Sequence, residues 1–426
     1  MSSYHFKYGD GAVDIALPET GRVEVLRGAA QPALGDIGAA LRAALERPIG
    51  GPALRDFLQP NDQVTLIVSD MSRFWMRQDL VIPHLVDYMR MSCGVAPRDI
   101  VILVANGTHI GGDEAALRTL VTDAVYDAVK VVNHDCEADD LAYIGTTGRG
   151  TWVEINPLAL GRKVVALGAA TQHVMAGYGG GRKSILPGIC SLRSIRQNHA
   201  HSLDPCAPRS NPAIGNAVLG GNPLHEDMCE AAAMVEHLFV INLVMSPDMK
   251  LARITCGHFL DSWLAACRMV DEMYAAPIRE KADVIIAGCG GYPKDMSLYQ
   301  CTKTIDNVES GLKPGGTLVL LAECRDGGGP AEYFSWIDSL RAGTLDVDLR
   351  AAFTIPGYIF YLNCEQARRY RIMMLTAADA ASIERMGMRA YGDVGSLLMD
   401  LDLAGKLTYV IPNGSTVVPT LTAQED

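Results

Sequence analysis

Short β-branched runs that end in small or polar residues, each followed by a helical pattern, recur along this chain and confine it to one class of fold. Val64-Thr-Leu-Ile-Val68 runs into Ser69-Asp70-Met-Ser-Arg73, and Ile100-Val-Ile-Leu-Val104 into Asn106-Gly-Thr-His109. Lys163-Val-Val-Ala-Leu167 leads, after a few small residues, into Gln172-His173. Strand alternating with helix predicts an α/β fold whose mostly parallel sheets are flanked by helices, Rossmann-like in architecture. In such sheets ligands bind outside the carboxyl ends of the strands. All three runs deliver polar or ionisable side chains to that edge, which points to a single site.

A second unit of the same kind begins near Lys281. Ala282-Asp-Val-Ile-Ile-Ala287 reads as a strand that ends in Gly288-Cys-Gly-Gly291-Tyr-Pro293. A helix is expected from about Ser297 to Ser310, then a turn at Pro314-Gly-Gly316 and a strand from Thr317 to Leu321. The expected division is 1–275 and 276–426, with the site in the interdomain cleft. At 426 residues the chain is long for one core, which agrees with two domains. Only the tail, residues 422–426, is expected to fray.

Composition narrows the function. With 49% apolar and 20% charged residues the chain is an ordinary globular one, and its longest apolar runs are too short to cross a bilayer. The start, Met1-Ser-Ser-Tyr-His-Phe-Lys, lacks the pattern of a signal peptide, so a cytoplasmic location is expected. A net charge of −12 argues against nucleic acid or an anionic membrane as partner. An anionic small molecule would need local basic residues to capture it. The eleven cysteines are scattered and form no Cys-x-x-Cys, so they read as free thiols rather than a zinc ribbon or iron–sulfur site.

The densest chemistry lies in His173-Val-Met-Ala-Gly-Tyr-Gly-Gly-Gly-Arg-Lys183-Ser-Ile-Leu-Pro187-Gly188, followed by Asn198-His199. A glycine run such as Gly179, Gly180 and Gly181 lets backbone N–H groups approach an anion. A lysine there serves either as counter-charge or as nucleophile. The spacing resembles a P-loop, but Arg182 stands where the second glycine is required and Pro187 limits the following helix. No dinucleotide fingerprint occurs in context.

Of the ten histidines, His5, His84, His237 and His258 read as surface or core residues. His109 and His173 differ because both sit where strands end. Two such imidazoles facing a substrate from opposite sides are what a racemase needs, with core placement the competing reading. His199-Ala-His201 offers one metal ligand rather than two, since alternate residues diverge on a helix. Arg73, and Tyr299, Gln300 and Lys303 on one helical face, either clamp a carboxylate or form a solvated surface.

These motifs together resemble the nickel-pincer-nucleotide lactate racemases and their relatives acting on other 2-hydroxy acids. The resemblance rests on His173 through Gly188 with Asn198-His199, and on Asp70-Met-Ser-Arg73 and Gly107-Thr-His109. It is extended by Asn222-Pro-Leu-His225-Glu-Asp-Met, Gly290-Gly-Tyr-Pro293 and Tyr299-Gln300-Cys-Thr-Lys303. It implies a pyridinium-3-thioamide-5-thiocarboxylic acid mononucleotide carrying nickel, tethered to Lys183, with His199 as nickel ligand and Asp70 as a cofactor contact. His109 and His173 are then the paired acid–base residues, and Arg73, Gln300 and Lys303 hold the substrate. The implied reaction inverts C2 of a small anionic 2-hydroxy acid by hydride transfer coupled to proton transfer, through a transient 2-keto acid. Residues 1–275 would tether the cofactor and 276–426 would close over the substrate. Cofactor-making enzymes become expected partners, and a preparation made without them would be the apoprotein.

One stretch departs from the pattern. The lactate enzymes typically read Asp-x-Thr-Arg-Pro where this chain has Asp70-Met-Ser72-Arg73-Phe74-Trp75. Either Phe74 and Trp75 reshape the pocket, so that the substrate is not lactate, or they pack into the core. The competing functions are a metal-dependent lyase or dehydratase on a hydroxy acid and a non-catalytic cofactor-binding protein.

Overall fold

Central strands buried along their length organise two mostly parallel sheets. In the computed structural model, which describes residues 2–18 and 21–422, each sheet has six strands. Contacts divide the chain into one unit of Gln31–His201 with Ala213–Asp271, and a second of Met1–Ala30, Ser202–Pro212 and Glu272–Asp426. The division therefore differs from the expected single cut near residue 275. The chain passes between units near 30, 201, 212 and 271: strand Arg22–Val25 pairs in parallel with Leu407–Ile411, and Ser202–Pro212 is bonded to Glu365 and Arg350 through Ser210 and Ala207.

The first unit's sheet runs in the order Leu251–His258, Leu238–Met245, Lys163–Ala170, Val64–Ser69, Ile100–Ala105, Lys130–Asn133. All neighbours are parallel except the first pair. Val64–Val68 and Ile100–Val104 are buried at every position, as a sheet covered on both faces requires. Leu66, Ile102, Val165 and Ile241 belong to the core on one of those faces. Strand order reverses at Val64–Ser69, and ligands of open α/β sheets bind at such a point. There Val64–Ser69 pairs with Lys163–Ala170 only as far as Ile67 opposite Ala166. With Ile100–Ala105 it pairs to its end, Ser69 opposite Ala105.

The second unit's sheet, order Arg389–Tyr391, Arg371–Leu375, Leu312–Leu321, Ala282–Gly288, Leu407–Ile411, Arg22–Val25, is parallel throughout. Helix Leu298–Glu309 follows Ala282–Gly288, close to the bounds read from the sequence. All eleven cysteines are free thiols. Residues 423–426, most of the tail expected to fray, lie outside the described residues. Among the described residues no helix is long and apolar enough to cross a membrane.

Candidate active site

The first unit brings Asp70, His109, His173, Lys183 and His199 to the carboxyl side of its sheet. Asp70 ends the strand Val64–Ser69 and precedes the turn of 3-10 helix Met71–Met76. His109 follows Ile100–Ala105 in a loop fixed by Asn106, whose Nδ2 donates to the His134 carbonyl at 2.8 Å. Gly107, at φ +57°, donates its amide to Gly188 at 3.0 Å, so this loop is tied to the end of the glycine segment.

His109 Nδ1 lies 2.5 Å from Asp70 Oδ2. An ionised carboxylate only accepts, so the ring proton sits on Nδ1 and Nε2 carries the lone pair. Burial pushes the Asp70 carboxyl up, but its hydrogen bond from His109 and the charges of His109 and Arg73 outweigh this and hold it below its usual value. The side chains are 42% exposed for His109 and 11% for Asp70, so an imidazole open to a ligand rests on a shielded carboxylate. Ser72, unassigned from the sequence, joins the group. Its hydroxyl donates to Asp70 Oδ1 at 2.7 Å, accepts from Arg73 Nη1 at 2.8 Å and lies 3.3 Å from His109 Nδ1.

His173 stands on a hairpin of only two paired positions, Gln172 opposite Tyr178 and His173 opposite Gly177. Its Nδ1 accepts the amides of Met175 and Ala176 at 3.2 and 3.3 Å, and Nε2 lies 3.3 Å from Lys183 Nζ. The glycine run then bends back over the sheet. Gly180 and Gly181 have φ of +72° and +55°, and a Cβ on them would meet the Ala169 carbonyl at 2.7 Å and the Trp263 ring at 2.6 Å. Close packing and left-handed backbone therefore account for these two glycines. Gly179 donates its amide to the Thr171 carbonyl at 2.7 Å, so that N–H serves the fold rather than an anion.

Arg182, which broke the P-loop pattern, is wholly buried. It donates to the carbonyls of Ala176 at 2.6 Å and Tyr178 at 2.8 Å and to His225 Nδ1 at 3.1 Å, and its guanidinium lies 3.9 Å from the Trp263 ring centroid. Burial lowers its pKa to about 10. It staples the chain immediately before Lys183.

His199 lies on helix Leu192–Ala200, capped by the Ser191 side chain. Its Nδ1 donates to the Ile195 carbonyl at 2.9 Å, which makes Nε2 the lone-pair nitrogen, the arrangement of a metal-ligating histidine. Burial, followed by the charge of Lys183, lowers its pKa to about 3, so the ring is a neutral donor at any ordinary pH. The preceding residue, Asn198, donates to Leu224 O at 3.2 Å and to the buried Asp227 at 2.8 Å. Asp227 also accepts from the Thr147 and Thr151 hydroxyls. Asn222 caps helix Pro223–Ala233 through its oxygen and donates to Met175 O, in the His173 turn, at 2.9 Å.

The other predicted residues lie in the second unit. Lys303 Nζ donates to Gln300 Oε1 at 2.8 Å on helix Leu298–Glu309, so these two form a pair of their own. Phe74 and Trp75 are half-buried and pack against the first unit's core, which favours the packing reading of that departure.

Residues 8–209 match the description "Lactate racemase N-terminal domain" and residues 278–418 "Lactate racemase C-terminal domain". The lactate racemase of Thermoanaerobacterium thermosaccharolyticum is 33% identical over 70% of this chain and 68% of its own length. The chain belongs to the lactate racemase family. The lactate racemase of Lactiplantibacillus plantarum is 30% identical over 69% of this chain and 68% of its own. The solved apoprotein of the Thermoanaerobacterium lactate racemase superposes with a TM-score of 0.87 at 27% identity, covering 99% of this chain and 100% of that one. A Thermotoga maritima protein, TM-score 0.65 at 15% identity over 91% and 97% of the two chains, shares the fold alone.

As a lactate racemase family member the protein is an isomerase. The residues present suit the cofactor implied by the resemblance: a lysine in a bent glycine turn would serve as its tether, and a neutral imidazole with its Nε2 lone pair fixed would serve as a ligand to its metal. Among the described residues no three His, Cys, Asp or Glu side chains are grouped to hold a metal. Arg182, Asp227 and Asn222 went unassigned from the sequence, although the motifs Gly-Arg-Lys and Asn-Pro-Leu-His-Glu-Asp contained them. Nothing local marks Asp271, the partner of Tyr178.

Proposed function

We propose that this protein inverts C2 of a small anionic 2-hydroxy acid other than lactate, using a nickel-pincer nucleotide tethered at Lys183. The supporting observation is the conjunction at one sheet edge of a carboxylate-backed imidazole, a second imidazole beside a lysine, and a buried neutral imidazole. When bound, the group would accept the C2 hydrogen as hydride, which avoids a carbanion beside a carboxylate.

The chain's own residues do the rest. His109 takes the hydroxyl proton at Nε2, and Asp70 at 2.5 Å stabilises the imidazolium that results. His173, whose Nδ1 accepts two amides and whose ring proton therefore lies on Nε2, returns a proton to that same oxygen when the inverted centre is formed. Arg73, held through Ser72, pairs with the substrate carboxylate, and for Gln300 and Lys303 the substrate-binding role is the one that the resemblance implies. Lys183 is the tether and His199 Nε2 the nickel ligand. Ser72 keeps its hydroxyl contacts but lacks the methyl that threonine carries in the lactate enzymes, which supports room beside His109 for a larger acid. The partners in this reading are that acid and the enzymes that make the cofactor, in the cytoplasm.

Intact mass after co-expression with the cofactor-making enzymes should show an adduct that Lys183→Ala removes. His109→Ala and His173→Ala should keep the adduct and lose turnover. Active protein without the adduct would reject the tether, and lactate turning over best in a 2-hydroxy acid panel would reject the substrate assignment. C2-deuterated substrate followed by NMR separates inversion from elimination.

A further inference from the structure

The hairpin that carries His173 is too small to hold itself. Two paired positions and the Gly179 amide on the Thr171 carbonyl give it a short ladder, the third strand Gly215–Asn216 pairs with its second strand alone, and hairpins are marginal even when longer. Its closed end is satisfied locally, by the Met175 and Ala176 amides on His173 Nδ1. Its open end, the pair Gln172 and Tyr178, converges on one carboxylate. The Tyr178 hydroxyl lies 2.6 and 2.5 Å from the two Asp271 oxygens, and Gln172 Nε2 donates to Oδ1 at 3.1 Å. Asp271 thus bridges both strands from helix Asp261–Tyr274. Burial, followed by Asp271, raises the Tyr178 phenol well above its usual pKa, so it remains a donor.

We infer that Asp271 is a positioning residue for His173, the one that clamps the side chains of both hairpin strands so that Nε2 is held at one place and angle. The inference rests on the proposed role of His173 in proton transfer. Asp271 meets neither substrate nor cofactor in this scheme. It acts by removing freedom from a ring whose misplacement by 1 Å would cost about a hundredfold in rate.

Three variants of the cofactor-loaded enzyme test it: Asp271→Ala, Tyr178→Phe and the double variant. Asp271→Ala should lower kcat about 10- to 100-fold with KM within about twofold, and leave the Lys183 adduct mass unchanged. Tyr178→Phe, which spares the Gln172 bond, should fall in the same direction by less. The double variant should equal Asp271→Ala alone, since both changes break one clamp. The ring ¹⁵N signals of His173, assigned with His173→Gln, should shift and broaden in Asp271→Ala while those of His109 stay put.

Unchanged His173 signals with unchanged kcat in both single variants would overturn the inference. So would additive losses in the double variant, or parallel shifts of the His109 ring, which would mark a general loss of structure. If Asp271→Ala fails to fold, Tyr178→Phe carries the same readouts. Should His173→Gln retain racemisation, the proton-transfer reading fails, whereas the ring signals still report whether Asp271 holds the hairpin.

Discussion

Replacing Arg182 with methionine removes a buried cation and three hydrogen bonds at once, and the two effects oppose each other. The lost partners are the Ala176 and Tyr178 carbonyls and His225 Nδ1. Each orphaned buried acceptor costs about 1–3 kcal/mol, so about 3–9 kcal/mol is at stake. Burial lowers the Arg182 pKa from 12.5 to about 10, which corresponds to about 3 kcal/mol recovered when the charge goes. The net expectation for Arg182→Met is about 3 kcal/mol of destabilisation, which for a folding unit of this size lowers Tm by about 6–12 °C. Arg182→Lys should be no better. It keeps a charge to desolvate, cannot span three acceptors with a planar fork, and cannot stack on Trp263. Scanning calorimetry on both variants decides. A lysine variant that melts within about 2 °C of wild type would show that charge alone, not the fork, holds this turn, and would refute the reasoning.

Three further outcomes are expected. Burial, followed by Arg182, lowers the His225 pKa from 6.5 to about 4, so its neutral form gives stability that is full above pH 6.5 and lost as pH falls toward 4. This amounts to about 3 kcal/mol, and urea midpoints between pH 7 and 4.5 should decline less steeply in His225→Gln than in wild type. Asp70→Asn should keep the Lys183 adduct but lower kcat at least about tenfold, because the imidazolium of His109 loses its counter-charge, as pre-steady-state rates would show. Asp227→Ala leaves the buried Thr147 and Thr151 hydroxyls without their acceptor and Asn198 with Leu224 O alone, and should destabilise the fold by about 2–4 kcal/mol, read from urea midpoints.

Much of this was legible in the sequence because strands buried on both faces read as continuous β-branched runs, and their ends read as polar punctuation. Val64–Val68 and Ile100–Val104 are such runs, and Asp70 and His109 fall where they stop. The residues that hold the site in place left no comparable mark. Asp271 lies in the last turn of helix Asp261–Tyr274 with no motif around it to distinguish it from a solvated carboxylate, and only the fold brings it to Tyr178. Arg182 was visible as a departure, but not as a buried staple, because burial of a cation depends on partners distant in sequence. A glycine run suggests an anion cradle, whereas the Ala169 backbone and the Trp263 ring explain Gly180 and Gly181. The cut near 271 lies beside the expected one, but strand Arg22–Val25 belongs to the second unit, and pairing across nearly the whole chain has no local signature.

That pairing also sets an order of events during synthesis. Val23 lies opposite Thr408, so the ribosome adds roughly 380 residues between the two. At about 5–20 residues per second this takes on the order of 20–80 s. For that interval the nascent amino-terminal strand has no sheet to join, while the Gln31–Asp271 region, Ser202–Pro212 excepted, is complete and able to fold behind it. One edge of the second sheet is therefore closed by a strand made long before the neighbour it pairs with. A chain that stalls before residue 407 leaves both that edge and its intended strand exposed to other chains.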